Sequence, residues 1–124
     1  LKLQYKEDFM NYRLSINIQA PHDDADIRGL MAHCMEMIFG LYILSHTGEK
    51  ESIKTYVKYL DKSEGEADLI VEFDNIVKDD KSDMYKLATG VLIREEIESN
   101  KSLYDYIESI EMEDLSTYDK SIIL

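Results

Sequence analysis

The chain has one cysteine, Cys34, one proline, Pro21, no tryptophan and five glycines in 124 residues. A lone cysteine excludes an internal disulfide and any multi-cysteine zinc site, and it suits a reducing compartment. With so little proline and glycine there is no linker of the kind that separates domains, and no segment is low in complexity. Basic side chains are scarce too: 14 against 26 acids, a net charge of −12. That excess argues against direct binding to nucleic acid or to an anionic membrane, since both carry the same sign. The richest apolar stretch, Leu30 to Leu44, is short for a bilayer and has Arg28, His33 and Glu36 in or beside it.

What is present fits one compact domain over 1–124: hydrophobic content is 44% and charged content 32%. Leu1 to Phe9 precede the first methionine, Met10. They read as a trimmed start, an alternative start or an added leader. Lys2, Lys6, Glu7 and Asp8 break any signal-peptide core. The expectation is a soluble, cytoplasmic protein.

From Tyr12 to Ala20 the residues alternate, with Leu14, Ile16 and Ile18 on one side and Arg13, Ser15, Asn17 and Gln19 on the other, the period of a half-buried strand. Pro21 ends it, and Asp23, Asp24 and Asp26 offer caps for a helix over about Ile27 to Ser45 that is apolar almost all round. Ile53, Tyr56, Val57 and Leu60 then repeat at helical spacing. Ser63 to Glu66 has the form of a capping box. After it Leu69, Val71 and Phe73 alternate as in a strand, but Leu69, Ile70, Phe73, Ile76 and Val77 follow the helical count better, and a helix is expected. Met84, Leu87, Ala88, Val91 and Leu92 mark a further helix stopped near Asn100. Ser102 with Asp105 opens a last one through Leu103, Ile107 and Ile110. The expected fold is therefore α+β but mostly helical, a single domain of four or five helices and one N-terminal strand. A lone strand leaves backbone groups unpaired. Its partner would be the tail at Ser121 to Leu124, residues 1–9 or a second subunit, which favours a homodimer.

The charge is divided unevenly. Residues 1–63 hold 9 acids and 8 bases, whereas residues 64–124 hold 17 acids and 6 bases, a net of −11 in what reads as an acidic helical half. Asp68, Glu72 and Asp79 fall on the solvent side of the third expected helix, and Asp105, Glu108 and Glu111 follow at steps of three on the last. Such a step rises about 4.5 Å, against roughly 3.4 Å of axis per phosphate on one DNA strand. Tyr104 and Tyr106 lie among these acids, and tyrosine is enriched at interfaces. With Glu95 and Glu98 they complete a candidate partner-binding face for a protein with a basic surface.

Other constellations point elsewhere. Arg28-Gly-Leu-Met-Ala-His33 resembles the R-x4-H element of HEPN-type ribonucleases. That resemblance implies that Arg28 and His33 cooperate on a 2′-hydroxyl and the scissile phosphate. Glu95, Glu96 and Glu98 resemble the acids of all-α nucleotide pyrophosphohydrolases, with Glu111 to Asp114 as a nominal second half of a magnesium site. His22, Asp23, Asp24 and Asp26 serve better as helix caps than as metal ligands. Cys34 lies on the apolar stripe and reads as core. No complete catalytic signature is present, so no catalytic residue, metal or cofactor is assigned.

In size and charge the chain resembles small acidic inhibitors made by bacteriophages and mobile elements, the nucleic-acid mimics of the anti-defence kind, and some immunity proteins. The expectation is a non-enzymatic protein that occupies a basic surface on a nuclease or another nucleic-acid-binding protein. The alternatives are a small metal-dependent phosphohydrolase, a HEPN-like ribonuclease, or a helical assembly protein.

Overall fold

A computed structural model describes residues 9–21, 26–48, 50–61 and 65–115. The elements run β1 (Phe9–Gln19), α1 (Ile27–Ser45), β2 (Ser52–Asp61), β3 (Glu66–Val77), α2 (Asp83–Ala88), α3 (Val91–Ser99) and β4 (Ile107–Asp114). The strands form a four-stranded sheet in the order β2-β3-β1-β4, each antiparallel to its neighbour. With α2 and α3 together serving as the second crossover, this is the split βαβ, ferredoxin-like arrangement.

The expected strand and the long first helix are both found, but a mostly helical chain with one strand is not. Three segments read as helices are strands, and bulges explain two of the three. β3 turns Ala67, Leu69, Val71 and Phe73 to the core and then carries an extra residue near Asn75, at φ 61°, which shifts the parity so that Ile76 is also buried. One extra residue converts a step of two into a step of three. Leu69, Phe73 and Ile76 then imitate a helical count. β4 does the same at Glu108, between Ser109 opposite Asn17 and Ile107 opposite Ile18. Ile107 and Ile110 thus share one side at a spacing of three. In β2 the helical pattern came from Tyr56 and Leu60, which are exposed, while Ile53 and Val57 are the half-buried positions. The overlooked signal there is Ile53, Thr55, Tyr56, Val57 and Tyr59, a run rich in β-branched and aromatic residues.

β1 is a central strand, held by β3 on one side and β4 on the other. Its backbone groups are paired within the chain, which removes the reason for seeking a partner in the tail or a second subunit. Residues 1–8, His22 to Asp24, Ser63 and Glu64, and the tail at Ser121 to Leu124 lie outside the described residues.

The helices cover one side of the sheet. Leu14, Ile16, Ile18, Leu69, Val71 and Phe73 meet Met31, Cys34 and Ile38 of α1, Met84 and Leu87 of α2 and Ile93 of α3 in one buried cluster. Asp26 caps α1, its carboxylate accepting from the Arg28 N–H at 3.0 Å. By length and composition α1 could also cross a membrane. Here it lies against the sheet and leaves Phe39, Ile43 and Leu44 exposed.

The expected helix at Met84 to Leu92 is two helices. Between them Thr89 and Gly90 turn the chain, and Gly90 takes φ 89°, the left-handed region. A β-carbon there would come within 2.7 Å of Arg94 Nη1 and 3.6 Å of Leu14 Cδ2. Gly90→Ala should therefore cost about 1–2 kcal/mol, from the left-handed penalty alone. Displacing Arg94 would also loosen the bond that its Nη2 donates to the Ile110 carbonyl at 2.8 Å. Denaturant titration checks this: the midpoint should fall while the slope holds.

Candidate functional site: an acidic ridge along one sheet edge

The side of the sheet away from the helices is largely polar, with Ile70 buried between Ser15 and Tyr56. One row crosses all four strands: Lys54, Glu72, Arg13, Glu113. Arg13 bridges Glu72 and Glu113 at 3.1 Å each, and Lys54 Nζ lies 3.9 Å from Glu72. The Tyr56 hydroxyl donates to Glu72 at 3.1 Å. Desolvation, then this bond to a carboxylate, raises the Tyr56 pKa above the ordinary tyrosine value. The bond to Glu72 likewise raises that of Arg13. Nearby, Asn17 Nδ2 donates to Asp68 at 2.9 Å and to Glu66 at 3.1 Å. Asp68 and Glu72 do share one face, as the sequence suggested, but on a strand. Both are engaged with neighbours inside the sheet.

Asp79 stands apart. It lies past the end of β3, where its carboxylate accepts from the Lys81 N–H at 3.0 Å. It borders a cleft of about 490 Å³ under the end of α1. Glu51 of that cleft is tied to His46 at 2.8 Å and to the Thr47 and Gly48 N–H groups at 3.0 and 3.2 Å. Burial alone would raise the Glu51 pKa, but these bonds outweigh it and hold the carboxyl below its usual range.

The remaining expected acids lie on α3, on β4 and in the turn before β4. Glu95 and Glu98 are exposed on α3, and Glu108 is exposed at the β4 bulge. Glu98 and Glu108 line a shallow cleft of about 220 Å³ with Arg94, Ile97 and Ile107. Glu111 and Glu113 stand on the open face of the same edge strand, about 6.8 Å apart at two residues of rise. Asp105 is exposed in the turn before β4. The helical line Asp105–Glu108–Glu111 therefore does not exist. In its place is a ridge of carboxylates along an edge strand, joined by the acids of α3.

Tyr104 and Tyr106 sit behind this ridge and are buried, at 6% and 4% exposure. The Tyr106 hydroxyl and His33 Nδ1 are 3.1 Å apart, and the Tyr104 ring stacks on the His33 imidazole with centroids 5.1 Å apart. Burial first, and neighbouring groups second, raise the pKa of both phenols. Burial also pushes the adjacent Cys34 thiol up to about 12. The histidine of the Arg28/His33 element is thus built into an aromatic cluster, while Arg28 is exposed at the start of α1. Among the described residues no three histidine, cysteine or acidic side chains are placed to hold one metal ion.

No protein-family model matches the chain, and no curated protein matches it. Among solved structures it is similar to the de novo designed protein Foldit4, at 15% identity over 86% of this chain and 96% of that one, with a TM-score of 0.47. It is likewise similar to the de novo designed protein Ferredog-Diesel, at 16% identity over 91% of both chains, with a TM-score of 0.47.

Proposed function

We propose that this protein is a non-enzymatic binding protein that occupies a basic surface of another protein, in the manner of a nucleic-acid mimic. The observation that supports this most is the row of acids on the β4 edge, with Glu111 and Glu113 on its open face and Glu108 at its bulge facing Glu98 of α3 across a shallow cleft. Carboxylates of an edge strand repeat on one face at about 6.8 Å, which equals the axial rise of about two phosphate steps on one DNA strand. Arg94 donates to the Ile110 carbonyl and Arg13 pairs with Glu72 and Glu113, so Glu98, Glu108 and Glu111 are the acids of this edge that join no ion pair among the described residues. A nuclease or another nucleic-acid-binding protein is the partner class this surface suits, and a phage or mobile element is a fitting source.

The test is capture on the immobilised protein from cells of its source. The expected partner is basic, is released steeply as ionic strength rises, and is displaced by duplex DNA. Capture that is indifferent to both salt and DNA would overturn the proposal and favour an assembly role for the exposed apolar residues Phe39, Ile43 and Leu44 of α1.

A further inference from the structure

The two edges of the sheet carry opposite charge. On the open face β2 presents Lys54 and Lys58, and β4 presents Glu111 and Glu113. The row Lys54–Glu72–Arg13–Glu113 alternates in sign from edge to edge, each charge within 3.9 Å of the next. At its two ends the row stops on side chains that keep much of their surface free, 72% for Lys54 and 46% for Glu113. A row that ends in a cation on one side and an anion on the other is complementary to a copy of itself.

We infer that a second copy of this chain continues the sheet, its β4 lying antiparallel to β2 with its Glu113 opposite Lys54. Strand direction permits this. Four successively antiparallel strands make β2 and β4 antiparallel to each other, so a copy laid alongside keeps the pattern. The same register places Val57 opposite Ile110 and Thr55 opposite Met112, which is 44% exposed in the single chain. It also brings the irregularity at the end of β2, after Tyr59, level with the bulge at Glu108, so the regular stretches match in length.

Like edges do not serve. Two β2 strands would oppose lysines, and two β4 strands would oppose glutamates, which is unfavourable directly across a sheet. The contact is therefore head to tail, giving a ring or an open chain of copies rather than a two-fold dimer. This inference does not depend on the proposed function, because it is tested on the purified chain alone; where a copy covers β4 it competes with a basic partner for that edge.

Sedimentation velocity over a range of concentrations tests it, with thermal melting as the check on folding. The wild type should associate with rising concentration and dissociate as salt is raised. Lys54→Glu and Glu113→Lys should each weaken association about tenfold or more. An equimolar mixture of the two variants should recover it, because each then offers an edge that complements the other. If either variant melts abnormally, Lys58→Glu and Glu111→Lys form a second, diagonal pair in this register, and neither side chain joins an ion pair among the described residues. A wild type that stays monomeric at every concentration overturns the inference, including the case in which the chain's own terminus covers an edge. So does a mixture of folded variants that fails to associate.

Discussion

Ile38→Asp is expected to abolish the cooperative thermal transition, whereas Ile43→Asp, five residues further along the same helix, should melt like the wild type. Ile38 is fully buried against the sheet, and Ile43 is 73% exposed. Truncating a core isoleucine costs about 2–5 kcal/mol, and a carboxyl group buried without a partner adds about 1–3 more. Against a typical domain stability of about 5–15 kcal/mol, that sum removes most of the margin. The exposed position should change stability by no more than about 0.5 kcal/mol. Circular dichroism melts of the two variants side by side provide the check. Equal destabilisation at both positions would mean that the outer side of α1 is also covered.

Reversal of Glu98, Glu108 and Glu111 to lysine should weaken binding of the captured basic partner by about a hundredfold. These three side chains are exposed and belong to neither the core nor an ion pair among the described residues. Folding should therefore survive. Stability should hold or rise slightly, because like charges across neighbouring positions cost tenths of a kcal/mol each. The measurement pairs a melting curve with a binding isotherm at low and high salt. A triple variant that melts normally and binds as tightly as the wild type would reduce the ridge to an aid to solubility and a guard on an open sheet edge. Asp105, which sequence spacing would have included, is left out because it sits in the turn before the strand.

Where the sequence pattern was regular, it could be read directly. The alternation from Tyr12 to Ala20 gave β1, and the apolar stripe from Ile27 gave α1 to within its observed ends. β3 and β4 imitate helices in the sequence for one physical reason. A bulge adds a residue, and the core-facing side chains then recur at three instead of two. Glu108 and Glu111 are exposed, but on a bulged strand and not on the helix that their spacing predicts. Tyr104 and Tyr106 stand among acids in the sequence and so read as part of a partner-binding face, yet both are buried. The contact that buries them is with His33, more than seventy positions away, and no local pattern reports it.

The sequence by itself determined the charge, its concentration after residue 63, the central strand and the long helix, because composition and unbroken periodicity are local properties. Only the tertiary structure decided that β1 has a neighbour on each side, that Ile38 is buried and Ile43 exposed, and that the two sheet edges differ in sign. Each of these depends on which distant segments lie side by side. Strand pairing and helix docking set that, through hydrogen bonds and burial between residues far apart in the chain.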